Sequence, residues 1–190
     1  MASNLTDVSV LLLPGWQNSD PGHWQSRWET LHGDRRVEQH EWLRPLRGDW
    51  SARLEEEVLS APGRVILVAH SLGCILVAAW ATHSRNTHKV SAALLVAPGD
   101  VEREDLRQMI PGWAPIVRQP LPFRALVVAA DNDPYCAIDR SRDMAADWGA
   151  VFVDAVAADI GGAGGHLNSG SGLGDWPQGR SLLNEISKEQ

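Results

Sequence analysis

Three kinds of side chain in this sequence could act together on an acyl group: Ser71, the aspartates of Asp131-Asn132-Asp133-Pro134, and His166. A serine hydroxyl is a weak nucleophile until an imidazole accepts its proton, and the imidazole needs an acid to hold its ring in place. Either aspartate can supply that acid. Asp133 is preferred, because the acid must project beyond its strand and Asp131 sits at the strand's end. The remaining histidines offer no competing chemistry. None of the seven stands in a metal-binding spacing such as His-Glu-x-x-His, so no metal is expected. His70 is expected to point away from the turn in a structural role, and His83 and His88 to lie on the surface. Asp131-Asn132-Asp133 opens like a calcium loop, but Pro134 and the lack of Gly at the sixth position end that likeness.

Each candidate follows an apolar run of strand length. Val65-Ile66-Leu67-Val68-Ala69 is continuous, as in a strand buried on both faces of a parallel sheet. A tight turn centred on Ser71 follows, and beyond Gly73 an apolar segment without Gly or Pro extends to Ala81. A strand entering a helix through small-x-Ser-x-Gly is a nucleophile elbow, here with Ala69 at the first small position and Gly73 at the second. Further strands are expected at Val8–Leu13, Val37–Trp42, Val90–Ala97, Arg124–Ala130 and Val151–Val156. Helices are expected over Gly22–Leu31, Trp50–Leu59, Ala137–Trp148 and Ser181–Lys188. Strand and helix alternating in this way predict one domain over residues 1–190: an α/β fold of about six mostly parallel strands with helices on both faces and no large cap.

In such sheets, functional groups gather at the carboxyl ends of strands. Ser71 follows the third strand and Asp131-Asn132-Asp133 the fifth. His166 follows the sixth, in Gly161-Gly162-Ala163-Gly164-Gly165-His166. The order Ser, Asp, His is that of α/β-hydrolases and not of chymotrypsin-like or subtilisin-like proteases. Oxyanion donors are then expected from the Leu72 amide and from the loop after the first strand, Pro14-Gly15-Trp16-Gln17, where Trp16 is the candidate. The chain has nine tryptophans against two phenylalanines; most belong to the core, with Trp16, Trp113 and Trp176 in loops as candidates to line an apolar acyl pocket. Residues 99–122 stand where a lid would be carried, and are short enough that any cap is small.

Composition narrows the partners. A net charge of −7 and an isoelectric point near 5.4 argue against nucleic acid or an anionic membrane surface. Cys74 and Cys136 fit no metal or redox spacing and are expected to be buried thiols. No apolar run reaches transmembrane length and the first residues lack signal-peptide form, so a cytoplasmic location is expected.

With these residues in view, the chain resembles the small single-domain serine hydrolases typified by retinoblastoma-binding protein 9 and YdeN. The resemblance rests on Leu13-Pro14-Gly15-Trp16-Gln17, Pro21-Gly22-His23-Trp24-Gln25, Ala69-His70-Ser71-Leu72-Gly73-Cys74, Asn132-Asp133-Pro134-Tyr135-Cys136, Gly165-His166-Leu167-Asn168 and Ser171-Gly172-Leu173-Gly174-Asp175-Trp176-Pro177. It implies a triad of Ser71, Asp133 and His166 on a compact six-stranded core, with neither organic cofactor nor metal. The expected activity is hydrolysis of a small carboxylic ester, or less readily an amide, through an acyl-enzyme. The rival readings are an acyltransferase and a protein-interaction module on the same fold with vestigial turnover.

Overall fold

The computed structural model describes residues 8–188. Among them, six strands form one sheet: β1 (Val8–Leu13), β2 (Arg35–Arg36), β3 (Arg64–His70), β4 (Val90–Val96), β5 (Arg124–Ala129) and β6 (Val151–Asp154). The order is β2-β1-β3-β4-β5-β6 and every pairing is parallel. The helices are α1 (Trp24–His32), α2 (Arg47–Ser60), α3 (Leu72–His83), α4 (Glu104–Met109), α5 (Ile138–Trp148) and α6 (Pro177–Lys188). None of them is long and apolar enough to cross a membrane.

The two faces of the sheet follow from the two-residue period of a strand. In β3, Val65, Leu67 and Ala69 face a core built from α2, α3 and α5. Ile66 and Val68 face a second core built from α1 and α6. Leu11 and Leu13 of β1 join the first core, and Leu12 joins the second. Because both faces are covered, β3 is apolar from Val65 to Ala69. A fully buried Leu or Val contributes roughly 1.5–3 kcal/mol, so the central strands carry much of the stability.

Three elements depart from expectation. Only Arg35 and Arg36 pair with β1, at Leu11 and Leu12. After Val37 donates to the Leu12 carbonyl (2.9 Å), residues 38–42 leave the edge and fold over the loop that follows β1, where Gln17 donates to the Trp42 carbonyl (3.1 Å). Helix α4, with Leu106 buried and Glu104 and Asp105 in its first turn, lies within the segment read as a possible small lid. Helix α6 opens four residues early, at Pro177, since the first helical position needs no amide donor.

Seven of the nine tryptophans are loop fasteners. Trp24, Trp28 and Trp176 donate their indole N–H to the carbonyls of Leu167 (2.8 Å), Asp175 (2.8 Å) and Ile160 (2.6 Å). Trp16, Trp50, Trp113 and Trp148 do the same for Leu43 (2.9 Å), Glu41 (3.1 Å), Pro45 (3.0 Å) and Val117 (2.8 Å). These carbonyls lie outside the sheet and helix ladders, and a buried carbonyl without a donor would cost about 1–3 kcal/mol.

Two glycines contrast sharply. A Cβ on Gly73 would stand 2.3 Å from the Leu13 carbonyl oxygen, whereas one on Gly48 in the first turn of α2 meets nothing within 4 Å. Gly73→Ala is therefore expected to cost at least about 2 kcal/mol, by forcing β1 and α3 apart. Gly48→Ala should add about 0.5–1 kcal/mol. Urea unfolding of the two variants checks both signs.

Candidate active site

The strand order reverses direction between β1 and β3, so the chain leaving each strand diverges and a crevice opens at their carboxyl ends. Ser71 sits in that crevice, on the turn between β3 and α3, with φ 55° and ψ −119°. A non-glycine residue there is strained by about 1–3 kcal/mol, which the surrounding packing must offset. Its amide donates to the Val96 carbonyl (2.9 Å) and its carbonyl accepts from Cys74 (3.0 Å). Gly73 permits the contact with Leu13 noted above. Gly15 performs the matching service from the other side: a Cβ there would lie 2.7 Å from the Ser71 Cβ and 3.2 Å from the Leu72 nitrogen. The loop after β1 thus lies directly on the turn, and Trp16 is the next residue. The Leu72 amide, first in α3, has no acceptor within its own helix.

Ser71, His166 and Asp133 meet, although 95 and 33 residues separate the bonded pairs. His166 Nε2 is 2.8 Å from Ser71 Oγ, and His166 Nδ1 is 3.0 and 2.9 Å from the two carboxylate oxygens of Asp133. A carboxylate only accepts, so the imidazole proton belongs on Nδ1 and Nε2 accepts the serine O–H. Asp133 is buried, and its Oδ1 also accepts from the Tyr135 amide (2.8 Å). Asp131 stands exposed just past β5. Of the two aspartates left open by spacing alone, Asp133 is the one in contact with the imidazole.

The His166 ring is held edge-on from two sides, by Tyr135 (centroids 4.6 Å apart) and His70 (4.8 Å). His70 also donates from Nε2 to the His166 carbonyl (2.8 Å), so its structural role is to hold the backbone of the residue that touches Ser71. Burial pushes the His70 imidazole well below the usual range, which keeps it neutral. Asn132 completes the support: its side chain accepts from the Gly165 amide (2.6 Å) and donates to the Ala163 carbonyl (3.1 Å). A Cβ on Gly164 would fall 2.3 Å from Asn132 Oδ1, so the glycine-rich run lets the loop close onto the loop after β5.

Around Ser71 the crevice widens into a cleft of about 550 Å³. One wall is apolar, made of Val101, Leu106 and Ile110 from α4 and its flanks, with Trp16 beside them. The polar part of the lining includes Asn18, Ser19, Asp20 and Asn168. Trp113 and Trp176, expected to line the pocket, do not. They are 0% and 1% exposed and belong to the two cores, because a large ring with one N–H is best placed beneath a loop whose carbonyl needs a donor. Sequence reasoning missed Tyr135, His23 and the α4 wall. The i, i+4 pair Leu106 and Ile110 behind Glu104-Asp105 is a legible helix signal. Among the described residues, no group of His, Cys, Asp and Glu is arranged to hold a metal ion. Cys74 and Cys136 are free and buried.

A sequence model of the family described as serine hydrolase matches residues 10–185. The chain belongs to that family. This serine hydrolase is 29% identical to a structure described as a YdeN-like hydrolase from Pectobacterium atrosepticum, over 96% of this chain and 91% of that one, with a TM-score of 0.80. The ydeN product of Bacillus subtilis superposes with a TM-score of 0.71 at 18% identity, over 95% and 98%. A thermophilic esterase from Thermogutta terrifontis does so with 0.64 at 15%, over 95% and 91%; these last two likenesses are of fold. Among curated proteins none matches the sequence. The protein is a hydrolase with the α/β-hydrolase fold.

His23 gives the site of this hydrolase a pH signature. Its Nδ1 caps α1 by accepting the Gln25 amide (3.1 Å), and desolvation by burial pushes its pKa down to about 4, from 6.5. The unfolded chain therefore binds this proton first, and stability is lost as pH falls from about 6.5 toward 4. His23→Asn keeps a capping oxygen but cannot titrate. Between pH 7.5 and pH 5 its unfolding free energy should fall by about 2 kcal/mol less than that of the wild type, as measured by urea denaturation at the two pH values.

Proposed function

We propose that this hydrolase cleaves a small carboxylic ester through an acyl-enzyme, with Ser71 as nucleophile, His166 as general base and then acid, and Asp133 as the group that orients and stabilises the imidazole. The reading is carried by one observation: a single hydrogen-bonded line from the Asp133 carboxylate through His166 to Ser71 Oγ, 2.9 and 2.8 Å long, ending on a strained turn.

In the first half-reaction, Ser71 Oγ attacks the carbonyl carbon as its proton passes to His166 Nε2. The carbonyl oxygen becomes an oxyanion held by the Leu72 and Trp16 amides, each worth on the order of 3 kcal/mol in the transition state. His166 then gives its proton to the departing alkoxide, and the alcohol leaves. Water repeats the sequence on the acyl-serine, losing its proton to His166 and releasing the carboxylic acid and free Ser71. The Asp133 carboxylate stays ionised throughout and offsets the charge on the imidazolium. An amide needs the same steps with a poorer leaving group, so esters are the preferred class. The cleft volume and the Val101, Leu106 and Ile110 wall suit a short apolar acyl chain.

Labelling by a fluorophosphonate probe should be complete in the wild type and absent in Ser71→Ala; equal labelling of both would remove Ser71 as nucleophile. On short p-nitrophenyl esters, Asp133→Asn is expected to lower kcat by about 10³–10⁴-fold. Asp131→Asn should change it less than about threefold, since its carboxylate is exposed and away from the imidazole. Comparable losses in both variants would reassign the acid.

A further inference from the structure

The residues lining the cleft include one that carries a formal charge, Asp20, and neither Lys nor Arg. Of the three histidines that line it, His166 is bonded to Ser71 and Asp133, and His70 and His23 are pushed down by burial and stay neutral. Asp20 itself is held in the ionised state, chiefly by the hydrogen bond from Ser169. The carboxylate is also fixed in space. Oδ2 accepts from Ser169 Oγ (2.5 Å) and Oδ1 from the Gly22 amide (2.8 Å), so it is tied both to its own loop and to the loop that carries His166. Each oxygen keeps a lone pair free. Among the described residues, no Lys or Arg forms an ion pair with it.

A second observation lies beside it. His23 is 3% exposed and lines the same cleft; since Nδ1 accepts the Gln25 amide, the proton is on Nε2, and that N–H has no partner. Nε2 has essentially no accessible surface and the ring packs edge-on against His70 (centroids 4.7 Å apart), so His23 backs the cleft as a neutral group and adds no second charge. The cleft thus offers one fixed anion among neutral polar groups, with Val101, Leu106 and Ile110 as its apolar lining.

We infer that Asp20 forms a cation subsite within the cleft, and that the preferred substrates are esters bearing a protonated amine a few bonds from the scissile carbonyl. The amine N–H groups donate to the free lone pairs of Asp20, and the apolar part of the substrate lies against Leu106 and Ile110. An anionic substrate meets the same carboxylate and is disfavoured. This rests on the reading of Ser71 as the nucleophile and adds the charge of the substrate to it.

The test uses three p-nitrophenyl esters of equal chain length, ending in an ammonium, a methyl or a carboxylate group. At low salt the wild type should cleave the ammonium ester with a kcat/KM about threefold to fivefold above the methyl ester, the range of a solvent-exposed ion pair, and the carboxylate ester most slowly. Added salt should narrow the spread. In Asp20→Asn the ammonium-to-methyl ratio should fall to about one, and Asp20→Glu should restore part of it. The ratio is internal to each variant, so a general loss of folding or turnover does not imitate the effect. Methyl ester cleaved as fast as ammonium ester by the wild type, or a ratio unmoved in Asp20→Asn, would overturn the subsite while leaving the hydrolase reading intact. Failure to cleave any of the three, together with probe labelling that survives Ser71→Ala, would overturn both.

Discussion

The close approach of two backbones at the Ser71 turn is the constraint on which the rest of the site depends. Gly73 lies where any Cβ would collide with the Leu13 carbonyl, and Gly15 lies where one would collide with Ser71. Strand β3, helix α3 and the loop after β1 are thereby pressed into one block. The strained torsions of Ser71 persist because Val65 to Ala69 on one side and Leu72 to Trp80 on the other are buried almost completely. Several fully buried aliphatic side chains, each worth roughly 1.5–3 kcal/mol, easily offset a strain of about 1–3 kcal/mol. The hydroxyl is thus presented by the most stable part of the molecule, at the end of a central strand.

The imidazole is presented by the opposite kind of structure. From Ala155 to Trp176 the chain has one short 3-10 turn at Ser169–Ser171 and no place in the sheet, so no ladder satisfies its backbone. Its carbonyls are taken by side chains instead: Ile160 by Trp176, His166 by His70 and Leu167 by Trp24. The rings of Trp24, Trp28 and Trp176 also pack on one another beneath the loop, with centroids 4.9–6.1 Å apart. A flexible, glycine-rich composition therefore yields a fixed position for His166. The glycines let the chain turn sharply, and the indoles remove the freedom they would otherwise leave.

What the sequence disclosed and what it hid divide along a physical line. Continuous apolar strands, the small residues around Ser71 and the order of the three reactive groups are local patterns, and the parallel topology turns them into a shared position at one rim. The direction of a side chain within an irregular segment is not a local pattern. Trp113 and Trp176 sit in loops near strand ends, as a pocket residue would, yet face the core because their N–H groups find acceptors there. The short β2 escaped for a related reason: two paired residues are too few to show an alternation, and of Val37 to Trp42 only Val37 bonds to β1, while the Trp42 carbonyl is taken by Gln17 of a neighbouring loop. Helix α4 was within reach of periodicity, and through Leu106 and Ile110 it supplies the apolar wall.

The indole fastenings carry a consequence for how such a rim can diversify. Each one grips a main-chain oxygen, and every residue type offers the same oxygen. The side chains between the grip points are therefore under little obligation to the architecture. Exposed residues such as Leu43 and Arg44, set among the gripped carbonyls of Glu41, Leu43 and Pro45, can be exchanged over evolutionary time while the rings below hold the altered loop in its former path.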